Sequence, residues 1–178
     1  KGLLANITEN TRWKYSKQFE YAPGKTWQPL LCPVIFTCWG GWFLIMKRAA
    51  SEKAFPNMWT VPGGKLVYSE YFDLPYKTKF PQWYGLVERT DRKEIKEEGG
   101  IQIKKPNYLC DIVFVRPDGF PVVTLSYWAK YESGKVRPGK DLTDFKWVTL
   151  EEAKNYDLID GIWDEIREVE EILKSRKN

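Results

Sequence analysis

Hydrophobic and polar positions divide the chain into a strand-rich middle and two helical segments. Residues 30–39 and 42–47 are apolar runs rich in β-branched and aromatic side chains, the composition of buried strands. Gly40 and Gly41 between them have hairpin-turn chemistry. A shorter strand-like run, 58–61, ends at Pro62, Gly63 and Gly64, a loop sequence. Residues 109–115 and 122–131 predict two more strands joined by a Pro117, Asp118, Gly119 turn, and 145–148 predicts a last short one. Helix-favouring residues fill 86–98 and stop at Gly99 and Gly100. A second helix is predicted over 160–174, where Ile162, Ile166, Val169 and Leu173 recur at helical spacing and form a packing stripe. Thr149 followed by Glu151 and Glu152 reads as a helix N-cap. Strands in the middle with helices at 86–98 and near the end give an α+β or layered α/β/α class.

The domain organisation follows. Residues 1–28 form a polar, aromatic-containing N-terminal extension, and 29–178 form one domain with an inserted loop at about 71–85, irregular and rich in aromatics and proline. The longest apolar stretch is broken by Thr37 and the Gly40–Gly41 pair, well short of the roughly 20 residues of a membrane span. No signal-peptide pattern opens the chain. The cysteines, Cys32, Cys38 and Cys110, are odd in number and suit neither a disulfide framework nor a zinc site. The expectation is a cytoplasmic protein with no membrane partner; a homodimer is compatible.

Charge and composition then narrow the chemistry. The net charge of +4 is too mild, and its basic residues too scattered, to argue for a nucleic-acid partner. The chain contains no histidine, which removes Ser–His–Asp and Cys–His nucleophilic chemistry and imidazole-bound zinc. Acid–base and metal work must come from carboxylates, Lys, Tyr or water.

Carboxylates are concentrated in one place. Glu94, Glu97 and Glu98 stand at i, i+3 and i+4 on the predicted helix, on one face. They repel one another and sit near the C-terminal end, where the helix dipole disfavours anions. A divalent cation reverses both penalties, and all-oxygen ligation suits Mg²⁺ or Mn²⁺. Lys93, one turn before Glu97, can orient it, and Gly64 allows close backbone approach to a metal or phosphate. The similar run from Arg167 to Glu171 has no glycine loop on either side, and its Val169 belongs to the packing stripe, so it reads as structural.

Gly64, Glu70 and the stretch Lys93-Glu94-Ile95-Lys96-Glu97-Glu98-Gly99-Gly100-Ile101 together resemble the signature of the Nudix hydrolases. That signature is Gly, five residues, Glu, seven residues, then Arg-Glu-aliphatic-any-Glu-Glu-any-Gly-aliphatic. The approach from Trp59 to Gly64 and the later stretch from Trp147 to Ala153 are also similar to the family. Two features depart from it. Lys93 stands where Arg is usual, which loses a bidentate fork. The spacer from Tyr71 to Arg92 has 22 residues, an insertion of about 15, of a kind that loops tolerate.

The resemblance implies a Nudix-like α/β/α sandwich with a mixed β-sheet. It also implies Mg²⁺-dependent hydrolysis of the phosphoanhydride bond of a nucleoside diphosphate linked to another moiety, such as a nucleotide sugar, ADP-ribose or a nucleoside triphosphate. It places metal at Glu94, Glu97 and Glu98 with Gly64, and with Glu70 in an outer role. Glu94, Glu97, Lys93 and Asp141 carry the catalytic roles, Asp141 as a base from a later loop, with Asp144 and Glu132 as rivals. Arg48 is read as a phosphate contact or a surface salt bridge. Apart from the resemblance, Trp83 and Tyr84 in the aromatic insertion are read as substrate-binding residues of a lid or specificity wall, the alternative being a self-packed loop or a dimer contact. The alternatives are a catalytically silent nucleotide-sensing module and an RNA 5′-end hydrolase.

Overall fold

The computed structural model describes residues 29–176 apart from positions 72, 76, 77 and 81; the extension predicted at 1–28 lies outside the described residues. Strands β1 (Leu30–Trp39) and β2 (Trp42–Arg48) form the expected hairpin, with Cys38 opposite Phe43 and Trp39 opposite Trp42. β3 (Trp59–Thr60) is short and leads through a single 3₁₀ turn (Tyr68–Glu70) and the inserted loop to helix α1 (Leu86–Gly99). Then come β4 (Ile101–Ile103), β5 (Asn107–Val115), β6 (Pro121–Gly134), β7 (Leu142–Val148) and helices α2 (Leu150–Ala153) and α3 (Ile162–Ser175).

β1 lies at the centre of the sheet. It runs antiparallel to β2 and parallel to β6, in register from Leu30 opposite Val122 to Cys38 opposite Lys130. The parallel pair makes the sheet mixed. β6 also pairs antiparallel with β4 and β5, and β2 with β3 and β7.

Alternation along the central strands sends side chains to two cores. Phe36, Cys38, Phe43, Ile45 and Trp128 meet Ile162, Ile166 and Val169 of α3. Ile35, Leu44, Met46 and Ala129 meet Ile95 of α1 and Ile101 and Ile103 of β4. The period-2 pattern of each strand is thus matched by the 3.6-residue pattern of a helix on either side. The result is a mixed sheet sandwiched between helices.

The differences from the sequence reading have local causes. β4 was not anticipated, since three residues are too few to show a period; it exists because β6 reaches Gly134, where Ile101 pairs. β7 begins at Leu142 because β2 offers a partner as far as Arg48. α3 starts at Ile162 rather than 160. The N-cap at Thr149 forms a full capping box with Glu152.

Candidate active site

The loop after β3 is tied to the centre of the sheet by its backbone. The Ile35 amide donates to Pro62 O at 2.9 Å, and the Gly64 amide donates to Pro33 O at 3.0 Å. At Gly63 a β-carbon would lie 2.7 Å from Val34 Cγ1 and 2.8 Å from Pro33 O, so only glycine lets the loop lie against β1. A β-carbon on Gly64 would stand 2.3 Å from Glu94 Cγ and 2.6 Å from its Oε1. The Glu94 side chain therefore occupies the space that the missing Cβ leaves.

Helix α1 delivers its carboxylates to this loop from its last turns. Ile95 points into the core and is 1 % exposed, which fixes the rotation of the helix and turns Glu94 and Glu98 toward the glycine loop. The Gly63 amide donates to the Glu98 carboxylate. Burial pushes the Glu98 carboxyl up to about 7; the Glu94 and Asp141 charges add to this, while the Gly63 hydrogen bond and Arg48 oppose it. Glu94 is likewise raised, chiefly by burial, with Lys93 opposing and Glu97 and Glu70 adding. Two acids in water would sit near 4; here they are crowded and partly desolvated, the condition in which a cation is strongly favoured.

The helix ends at Gly100 (φ 69°), whose amide donates back to Lys96 O. The chain after β6 closes over that end. Arg137 N donates to Gly99 O at 3.0 Å and Gly139 N donates to Glu98 O at 2.9 Å. A β-carbon on Gly139 would come within 3.2 Å of Glu98 Cα. This packing brings Asp141 near Glu98, and Asp141 O accepts from Ala49 N at 3.0 Å, next to Arg48 at the end of β2. Arg48 is itself held by an ion pair with Glu52 and by Nε donating to Ala54 O at 2.9 Å.

Lys93 links two acids that the sequence separates. Its Nζ lies 2.8 Å from Glu70 and 3.9 Å from Glu97. The pair with Glu70 pins the 3₁₀ turn to α1 despite the long insertion. Glu97 is the most exposed of the helix carboxylates, its side chain 61 % accessible.

The structure thus brings together Gly64, Glu94, Glu98, Asp141 and Arg48, with Lys93, Glu70 and Glu97 on the adjoining flank. Among the described residues no three acidic or cysteine side chains are already drawn around one point as a closed metal cage. Trp83 and Tyr84 lie at the opposite end of α1 from Glu94, Glu97 and Glu98. They precede Gly85, the residue before α1, which is about 13 Å along the helix from Glu94 at 1.5 Å per residue. Trp83 packs against Tyr71 at 5.2 Å and its Nε1 donates to Leu74 O at 2.9 Å, while Tyr84 is 83 % exposed. The rival base Asp144 pairs with Lys146 at 3.6 Å, and Glu132 is exposed on β6.

Sequence reasoning missed one buried acid. Asp91 on α1 is fully buried, neither carboxylate oxygen has a partner among the described residues, and its carboxyl is pushed up to about 8, first by burial and then by the Glu88 and Glu94 charges. Its place one turn before Ile95 on the core face was the available signal.

No family model matches the chain. A nucleoside triphosphatase, NudI, of Klebsiella pneumoniae strain 342 is 27 % identical over 139 residues, covering 72 % of this chain and 86 % of the relative. Among solved structures, a MutT Nudix hydrolase of Burkholderia pseudomallei superposes with a TM-score of 0.61 at 23 % identity, covering 80 % of this chain and 98 % of that one. The Nudix domain of Shewanella oneidensis NrtR, complexed with ADP-ribose, gives a TM-score of 0.62 at 20 % identity over 92 % of this chain and 99 % of that one. The structural likenesses share the mixed sheet between helices; the sequence relative adds likeness along the chain itself. With the glycine loop seated against the helix carboxylates, they give this chain the fold of the Nudix hydrolases and a sequence similar to that of NudI.

Proposed function

We propose that this chain, a hydrolase acting on phosphoanhydride bonds, is Mg²⁺- or Mn²⁺-dependent and cleaves a nucleoside diphosphate linked to a second moiety. The observation that carries the reading is the contact of Glu94 with Gly64, beside Glu98 bonded to the Gly63 amide. Oxygen donors crowded at the edge of a glycine loop are the donor set of a hard divalent ion. Glu94 and Glu98, with Glu97 at the rim and the Gly64 backbone, would hold the ion.

When bound, such an ion supplies neutralisation of the diphosphate and a water of lowered pKa. The chain's own groups do the rest. Lys93, held between Glu70 and Glu97, keeps Glu97 near the rim. Arg48, braced by Glu52 and Ala54 O, offers a fixed guanidinium to a phosphate oxygen on the Asp141 side. Asp141, exposed and close enough to Glu98 to raise its pKa, accepts the proton of the attacking water as general base. The products are a nucleoside monophosphate and a second phosphorylated fragment. The NudI relative, a nucleoside triphosphatase by name, supports including nucleoside triphosphates in the substrate panel. Among the described residues no helix is long and apolar enough to cross a membrane; a cytoplasmic setting is part of the proposal.

The test is a panel of nucleotide sugars, ADP-ribose and nucleoside triphosphates assayed for monophosphate or phosphate release with and without Mg²⁺. Metal-dependent turnover of at least one, lost in Glu94→Gln, supports the reading. Saturable nucleotide binding with no turnover of any would replace it with a sensing module.

A further inference from the structure

Strand pairing brings together two stretches of chain that contain no acid. Residues 99–110 hold Lys104 and Lys105, and residues 133–140 hold Lys135, Arg137 and Lys140, with no Asp or Glu in either. These five cations exceed the +4 of the whole chain, so the remainder is on balance acidic. β4 and the end of β6 join the stretches into one edge, Ile101 opposite Gly134 and Gln102 opposite Ser133. Lys104 N donates to Lys130 O at 2.9 Å, and Arg137 N donates to Gly99 O at 3.0 Å. A β-carbon on Gly100 would lie 2.7 Å from Lys135 O and 3.4 Å from Arg137 Cβ. Lys96, whose carbonyl accepts from Gly100 N, adds a sixth cation.

All six are exposed, and among the described residues none makes an ion pair. Arg116, Lys154 and Arg167, by contrast, each hold an acid. Compensation of the helix dipole accounts for Lys96, in the last turn of α1. It does not account for the five on strand and loop. Like charges gathered without partners repel, and an anion laid across them turns that repulsion into attraction.

The layout selects the anion. From Gly99, beside Arg137, to Lys104 is five residues, about 17 Å of extended chain at 3.4 Å per residue, several times the reach of one diphosphate. Lys96 and Glu98 lie about 160° apart around the helix at 3.6 residues per turn. Gly139, which precedes Lys140, packs on the Glu98 backbone. The cations therefore pass around the end of α1 from one flank to the other. A flat membrane could touch only part of that path, whereas a flexible chain can follow it. An exposed aromatic stands beside it: Trp39 is 63 % exposed and its ring centre lies 5.9 Å from that of Tyr131, which is opposite Ile103 of β4. A cationic track bordered by an exposed aromatic suits a backbone of phosphates that also carries stacking bases.

We infer that this edge binds the sugar–phosphate backbone of single-stranded nucleic acid. Binding there needs neither metal nor turnover, so it stands or falls independently of the hydrolysis proposed above.

The test is fluorescence anisotropy of the full chain, in EDTA, with a labelled single-stranded RNA of about 12 nucleotides that has a 5′-hydroxyl and so no phosphoanhydride. The expected result is saturable binding whose log affinity falls against log salt with a slope of about −2 to −4, roughly −0.7 for each phosphate engaged. The double variants Lys104→Glu/Lys105→Glu and Lys135→Glu/Arg137→Glu should each weaken it about tenfold or more, and the milder Lys104→Gln/Lys105→Gln about threefold. Lys154→Glu/Arg167→Glu, the same change in net charge elsewhere on the surface, should cost less than about twofold. No saturation, an affinity independent of salt, or an equal loss in the Lys154→Glu/Arg167→Glu control each overturns the inference. So does binding as tight or tighter to a duplex of the same sequence, to inorganic polyphosphate, to polyglutamate or to phosphatidylserine vesicles.

Discussion

Asp91 should make this protein less stable as pH rises, and replacing it should reverse that. Its carboxyl, ordinarily near 3.8, is pushed up to about 8 in the folded state. Between these values the folded protein keeps a proton that the unfolded chain releases. The folded state binds more protons, so unfolding free energy falls with rising pH across the window and levels off above about 8. The slope from this one group is at most about 1.4 kcal/mol per pH unit. From pH 5 to pH 8 that is a ceiling of about 4 kcal/mol, reduced by any relaxation that admits water. Even below the window the neutral acid leaves both oxygens unpartnered, at a cost of about 1–3 kcal/mol. Asp91→Ala removes both contributions, and alanine adds about 0.5 kcal/mol of helix propensity.

Urea unfolding of the wild type, Asp91→Ala and Asp91→Asn at pH 5, 6, 7 and 8 measures this. The alanine variant should be more stable throughout, with a gap that widens toward pH 8. The asparagine variant should lose the pH slope but keep the desolvation cost. Groups that titrate equally in all three cancel in the differences. A gap that is constant with pH, or an alanine variant less stable than wild type at pH 8, refutes the assignment of Asp91 as an unpaired buried acid.

Gly64→Ala should fold normally, because the atoms its Cβ meets are those of the flexible Glu94 side chain. Turnover should nevertheless fall by about a hundredfold, since Glu94 must move by an ångström or so; an unchanged kcat in a well-folded variant would remove Glu94 from the site. Glu98, raised to about 7, must give up its proton to bind a cation. Mn²⁺ affinity should therefore rise with pH up to about 7 and flatten above it, and calorimetry in buffers of different ionisation enthalpy should detect proton release at pH 6. Tyr84→Ala should leave KM for the active nucleotide within twofold, given the 83 % exposure of that residue; a tenfold rise would restore Tyr84 to the substrate wall. Thr149→Ala should cost about 1 kcal/mol of stability through loss of the capping box, read by urea unfolding.

Local rules wrote the helices and the principal strands into the sequence. The glycine stop after 98, the spacing of Ile162, Ile166 and Val169, and the Thr149 cap act within four residues, the range over which helix hydrogen bonds and caps operate. Alternation in β1 and β2 is just as local, and the carboxylates at 94, 97 and 98 are tied to one helix face by its pitch. The sequence therefore identified the acidic helix, the glycine loop that faces it and a sandwich of helices on a sheet.

Tertiary contact alone decided the rest. β1 pairs with β6 some ninety residues away, and no local pattern encodes which strand will be its neighbour. That pairing carries β6 to Gly134, creates β4, and folds the chain back so that Gly139 packs on Glu98 and Asp141 arrives beside it. The same docking separates acids that look alike in sequence. Glu94 and Glu98 are turned to the glycine loop and Glu97 toward solvent, while Asp91 is sealed in the core. Spacing can say which side chains share a helix face. Only the packing of that face against the sheet sets how much water each one keeps, and retained water is what fixes their charge and their chemistry.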